Sequence, residues 1–257
     1  MSGKYLFIGS YVATLDDILR DFPNGAVLVE NDIIQAVGQA EDIKCPNAEV
    51  IDATDGVVIP GIIDTHRHTS ISLTQGLGAD QSLFHFLSNT YLRWLPATSV
   101  DDIELSSIVG GLKALNNSMT IILNTCETFS FGDHAEAEFN RLKELRVRAF
   151  YCFAIGDDAL LCYSYSYAVE NSITTKDIKD HANYRLIILG YVYIHYTNLT
   201  KRKIELIAES KGKVSIAIET KMQIDLRIPL IRAYIEHSIN PFLSINTSSA
   251  VVPNLLG

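Results

Sequence analysis

Two histidines one residue apart, His66 and His68, close an apolar run in VVIPGIIDTHRHTS, Val57 to Ser70. Side chains along a strand alternate, so residues two apart point the same way, roughly 6.6 Å apart, and two imidazoles can converge on one divalent ion. Arg67, between them, would point oppositely. A His-x-His is also an ordinary accident of surface loops. Two imidazoles alone hold zinc weakly, because a catalytic zinc keeps further protein ligands and an open position for water. The pair therefore raises the question of where other ligands would come from.

The elements that must position these residues change character along the chain. With 257 residues, 47% of them hydrophobic, the chain can bury a large core. Residues 1–58 read as a small β module: GAVLVENDIIQAVG places two apolar runs around Glu30-Asn31-Asp32, a hairpin signal, and EVIDATDGVVIPG repeats the device at Asp55-Gly56. From residue 59 to 257, short apolar strands alternate with helical stretches, the pattern of parallel βα units and, at this size, of a barrel. Strands are expected over Ile59–Thr65, Thr120–Thr125, Val147–Ile155, Arg185–Tyr196, Lys213–Glu219 and Pro241–Asn246. Helices are expected over Val100–Asn116, His134–Leu145, Thr174–His181, Thr200–Ser210 and Ile224–His237, with starts marked by Ser99 and by Thr174-Thr175.

One of these strands is too long. RLIILGYVYIHY, Arg185 to Tyr196, would span roughly 40 Å if extended. It cannot be two parallel neighbours either, since only Gly190 is available where a crossover needs about a dozen residues. A whole βα unit is expected to be absent at this point, leaving an incomplete TIM-like barrel in an α/β chain.

With these residues in view, the chain resembles the amidohydrolase superfamily, in its cytosine-deaminase-like and chlorohydrolase-like branch. The resemblance runs through the N-terminal hairpins, DATDGVVIPGIIDTHRHT, LKALNNSMTIILN, YVYIHYTNLTKRKIELIAESKGKVSIAIE and PFLSIN. Its most specific part is Pro-Gly, then Asp, then His-x-His at a strand end. It implies a TIM-like barrel beside a β-sandwich, here partial, and a metal-dependent hydrolase acting on a non-peptide carbon–nitrogen bond of a small molecule. The implied cofactor is a divalent metal, zinc first, with His66 and His68 as ligands.

The same resemblance exposes departures. The middle-strand histidine would fall in the unit missing near Gly190-Tyr191. His195 matches the next-strand histidine, which contacts substrate or water; in a shortened barrel it could join the ligands, or be a buried histidine satisfied by backbone. Asn246 stands where the family has an aspartate, and a neutral amide neither adds charge to a metal nor serves as a general base. Glu219 and Glu127 are strand-end carboxylates that could substitute, or simply hydrogen-bonded strand ends. The alternative reading is a catalytically inactive, truncated paralogue serving as a binding or oligomer-partner module. The chain ends soon after PFLSIN, so the β module is expected to expose sheet edges that a homo-oligomer would cover.

Other features bound the answer more loosely. His85 reads as helix or loop packing, and His134, His181 and His237 fall at helix ends. The YSYSY run, Tyr163 to Tyr167, carries no assignable chemistry. A net charge of -9 without a basic run argues against nucleic acid, and no apolar run is long enough to span a membrane. Cys45, Cys126, Cys152 and Cys162 lack paired spacing and sit in apolar contexts. The expected setting is cytoplasmic and reducing.

Overall fold

The computed structural model describes residues 3–78, 81–126, 132–153, 192–194, 199–218 and 229–244. The chain divides into two units, Met1–Gly61 and Ile62–Gly257. The expected helix Thr174–His181 and the YSYSY run lie outside the described residues, as does most of Arg185–Tyr196.

The first unit is a five-stranded sheet. Strand β1 (Lys4–Val12) pairs antiparallel with β2 (Phe22–Pro23) and β3 (Gly25–Glu30), β3 pairs antiparallel with β4 (Ile33–Gln39), and β5 (Glu49–Val58) runs parallel to β1. The hairpin at Asn31-Asp32 forms as expected. Both residues take positive φ, 51° and 67°, the backbone that a two-residue type I′ turn requires and that Asn and Asp tolerate. The second expected hairpin, at Asp55-Gly56, does not form. β5 continues through these residues, and its register against β1 slips between Gly9 and Tyr11, so that the extra residues are absorbed as a bulge. Ser10 Oγ donates to the Gly56 carbonyl at 2.6 Å there. Pairing along both flanks of the bulge outweighs the local turn preference.

Among the described residues the second unit contains two parallel three-stranded sheets. In one, β6 (Ile62–Arg67), β7 (Met119–Cys126) and β8 (Arg148–Phe153) alternate with α1 (Val100–Asn116) and α2 (Gly132–Glu144). In the other, β9 (Val192–Ile194), β10 (Lys213–Ile216) and β11 (Phe242–Leu243) alternate with α3 (Lys201–Glu209) and α4 (Ile231–Glu236). Each sheet has its own apolar packing: Ala114, Met119, Ile122, Leu142 and Val147 in the first, and Tyr193, Ile204, Ile207, Val214, Ile216 and Tyr234 among others in the second. A fully buried Ile or Val contributes roughly 1.5–3 kcal/mol, so these stripes hold helices on sheets. The sheets meet at Thr65 of β6. Its hydroxyl donates to the Leu243 carbonyl at 2.9 Å, which leaves Ser215 Oγ to donate to Thr65 Oγ1 at 2.7 Å.

α1 begins where the sequence places it. Ser99 accepts from the Asp102 amide, and the Asp102 carboxylate accepts from the Ser99 amide at 2.8 Å, a reciprocal cap. Donation from the Ser99 amide, and from its hydroxyl at 2.7 Å, holds the Asp102 carboxyl below its usual range. Among the described residues no helix is long and apolar enough to cross a membrane.

The loop that follows β6 is pressed against α1. Ser106 Oγ donates to the Thr69 carbonyl at 3.1 Å and accepts from the Leu73 amide at 3.2 Å. A Cβ on Gly110 would collide with Ser72 Oγ and lie 3.1 Å from Thr69 Cα. Alanine is favoured over glycine inside a helix by ~1 kcal/mol, yet Gly110→Ala is expected to destabilise the protein by about 1–3 kcal/mol through overpacking. Urea denaturation checks this; an unchanged or raised midpoint contradicts the close approach.

Candidate metal centre

His66 and His68 are buried, 1% and 3% exposed. Their rings meet edge to face at 87° with centroids 4.5 Å apart, and the two Nε2 atoms lie 3.0 Å from each other. Two zinc–imidazole bonds at the tetrahedral angle would place their nitrogens ~3.3 Å apart. The pair thus has the separation of two neighbouring ligands. Arg67 turns elsewhere: its Nη1 donates to Asp64 Oδ2 at 3.0 Å and to Met119 Sδ at 3.5 Å.

Both rings are oriented by one residue, Thr125, near the end of β7. His68 Nδ1 donates to the Thr125 carbonyl at 3.1 Å, and His66 Nδ1 lies 3.1 Å from Thr125 Oγ1. A carbonyl only accepts, so the proton of neutral His68 is on Nδ1 and its Nε2 lone pair faces His66. Two facing lone pairs at 3.0 Å repel, which leaves two arrangements. Either His66 donates Nε2–H to His68 and takes a proton from the Thr125 hydroxyl at Nδ1, or a cation accepts both lone pairs and His66 donates Nδ1–H to Thr125 Oγ1. The hydroxyl serves both because it can donate or accept. An imidazole fixed through its second nitrogen is the usual support for a metal ligand.

The donor chemistry and spacing of the pair fit two positions of a zinc site. Among the described residues no group of three or more His, Cys, Asp or Glu side chains could hold a metal ion. His195, Glu219 and Asn246, and also Glu127, lie outside the described residues. His85 is exposed, with Nδ1 3.1 Å from Ser82 Oγ, while His134 Nε2 donates to the Thr98 carbonyl at 2.9 Å and His237 Nδ1 to the Ala233 carbonyl at 2.7 Å.

Sequence reasoning passed over the polar residues behind the pair. Asn124 Oδ1 accepts the Thr69 amide at 3.1 Å, Glu138 Oε1 accepts the Ser70 amide at 3.0 Å and Asn124 Nδ2 at 3.0 Å, and Tyr151 donates to Glu138 Oε2 at 2.7 Å. Burial, then the charge of Glu138, pushes the Tyr151 phenol well above its ordinary range, so it remains a donor. A signal was available: Ala135, Glu138 and Leu142 share one stripe of α2 at helical spacing, and Glu138 is the acid on that buried face.

No protein-family model matches the chain. It is 40% identical over 77 residues to the 5'-deoxyadenosine deaminase of Methanococcoides burtonii, a match covering 30% of this chain and 17% of that enzyme. To the 5-methylthioadenosine/S-adenosylhomocysteine deaminase of Syntrophobacter fumaroxidans it is 28% identical over 143 residues, 55% of this chain and 32% of the enzyme. These matches thus span a third or less of each relative's length. In fold it is similar to a zinc-bound atrazine chlorohydrolase variant from Arthrobacter aurescens, with a TM-score of 0.79 at 15% identity over 96% of this chain and 72% of the other. It is also similar to a zinc-bound adenosine deaminase from Xanthomonas campestris, with a TM-score of 0.72 at 16% identity over 96% and 70%.

The role of Thr125 is open to substitution. Thr125→Val removes the partner of His66 Nδ1 while sparing the carbonyl bond to His68, and is expected to weaken zinc binding about 10–100-fold, with Thr125→Ser close to the unmodified protein. Competitive zinc titration measures both; equal affinity for the valine variant contradicts orientation by the hydroxyl.

Proposed function

We propose that this chain, which belongs to the amidohydrolase superfamily, is a metal-dependent hydrolase of a non-peptide carbon–nitrogen bond in a small molecule, built on an incomplete (β/α) barrel. The observation that carries the reading is the convergence of two buried Nε2 atoms with both Nδ1 atoms engaged by Thr125. The names of the sequence relatives support a deamination, and the net charge of -9 favours a neutral or cationic substrate.

In this reading His66 and His68 hold the metal through Nε2, and zinc, when bound, supplies Lewis acidity that eases the ionisation of water near neutral pH. Thr125 keeps each ring in the tautomer that presents a lone pair. Asp64 neutralises Arg67 within 3.0 Å, both side chains being buried, so that no uncompensated cation stands beside the site. His195 completes the ligands or orients the substrate, Glu219 carries a proton, and Asn246 binds through its amide without taking one.

A second reading has its own support. The imidazole pair closes on itself through a His66 Nε2–H to His68 Nε2 bond, with the Thr125 hydroxyl donating to His66, and needs no ion. The chain is then a non-catalytic relative.

Elemental analysis of the purified protein separates the two. The hydrolase reading expects zinc near one equivalent after reconstitution, its loss in His66→Ala, and ammonia release from 5'-deoxyadenosine that falls by about 10³-fold or more in that variant. Protein that binds no metal after reconstitution overturns it and leaves the non-catalytic reading.

A further inference from the structure

We infer that Glu138, on α2, is a positioning residue for the imidazole pair, joining the loop after His68 to the strand that carries Thr125; as a statement about metal affinity this rests on the proposed metal site. Neither β6 nor β7 needs this acid for its own pairing. Glu138 is fully buried, and a buried carboxyl is costly unless its oxygens are satisfied.

Here four donors surround it. Oε1 receives the Ser70 amide at 3.0 Å, Asn124 Nδ2 at 3.0 Å and the Thr69 hydroxyl at 2.7 Å, and Oε2 receives the Tyr151 hydroxyl at 2.7 Å. Thr69 and Ser70 directly follow His68, and Asn124 directly precedes Thr125. The Thr69 hydroxyl also lies 2.8 Å from Asn124 Oδ1, so its single proton is shared between two acceptors.

The geometry explains why a helix acid reaches a strand-end pair it does not touch. β6 and β7 slip register between Asp64 and Arg67 and regain it at the single pair Arg67–Asn124, so one backbone pair beyond the slip holds His66 and His68 level with Thr125. The Glu138 carboxyl reinforces that pair from outside the sheet by binding both segments. Ser106 of α1 holds the same loop from another helix through the Thr69 carbonyl, 3.1 Å away. Freed from Glu138, the loop keeps the Ser106 tether and the bond from the Thr69 amide to Asn124 Oδ1, but loses the carboxyl that holds Ser70 and the Asn124 amide together.

Glu138→Ala and Glu138→Gln distinguish this role from simple stability. Glutamine retains an oxygen for Ser70, Thr69 and Asn124 and turns an amide toward Tyr151, whose hydroxyl can accept it while donating to the Ala135 carbonyl 3.0 Å away. Zinc affinity is expected to fall about 10–100-fold in the alanine variant and to stay within about 3-fold in the glutamine variant. Carbethoxylation of His66 and His68 in metal-free protein, located by peptide mass mapping, is expected to accelerate at least about 10-fold in Glu138→Ala only. Circular dichroism melts confirm that the variants compared are folded. Should the alanine variant fail to fold, Thr69→Val, which removes one link of the same network, is expected to show the weaker zinc binding and faster carbethoxylation. If the unmodified protein binds no zinc, the metal reading fails, and the carbethoxylation rates alone decide the role of Glu138. Rates and affinities unchanged in folded Glu138→Ala, or in Thr69→Val where alanine does not fold, overturn the inference.

Discussion

Two ring nitrogens with facing lone pairs cannot stay 3.0 Å apart in a dry interior without something positive between them. The Thr125 carbonyl forces this condition, because it can only accept and so places the His68 proton on Nδ1. The intervening charge is a proton from His66 or a metal cation. Water cannot relieve the repulsion by solvating each ring separately, since both side chains are buried. The remaining architecture of this region can be understood as the means of keeping that encounter intact.

The means are layered. The His-x-His spacing brings both rings to one end of β6, and β7 presents Thr125 to them. Behind these strands α1 and α2 reach the loop after His68 with polar groups from two directions, Ser106 and Glu138. An unmet donor or acceptor in such a network costs about 1–3 kcal/mol, and two buried atoms beside it, Ser70 Oγ and Arg67 Nε, find no hydrogen-bond partner among the described residues. The Asp64–Arg67 pair, buried on both sides, meets the same requirement for charge. The described residues around β9, β10 and β11 pack through apolar side chains.

Much of the scaffold was legible in the sequence because it is local. Apolar alternation and the Asn31-Asp32 pair announced the first hairpin, and Ser99 with Asp102 marked the start of α1 at the residue where it begins. Asp55-Gly56 misled because a parallel neighbour, β1, continues on both sides of it and converts a turn signal into a bulge. The His pair was legible through its spacing. Thr125 was not, since its two contacts with the rings depend on the height of β7 against β6, which no local pattern encodes. Glu138 lay between these cases: its place on the buried stripe of α2 was readable, its partners 68 and 69 residues away were not.

The likeness to the zinc-bound structures is one of fold, and the sequence likeness is to parts of deaminases. The tautomers of the two rings test the physical account most directly, through two-bond ¹⁵N–¹H correlations of histidine-labelled protein in zinc-free buffer. The neutral His68 ring is expected to carry its proton on Nδ1 and a bare Nε2, with His66 protonated at Nε2, and the His66 proton is expected to shift to Nδ1 when zinc is added. A His68 ring carrying its proton on Nε2 instead would contradict it.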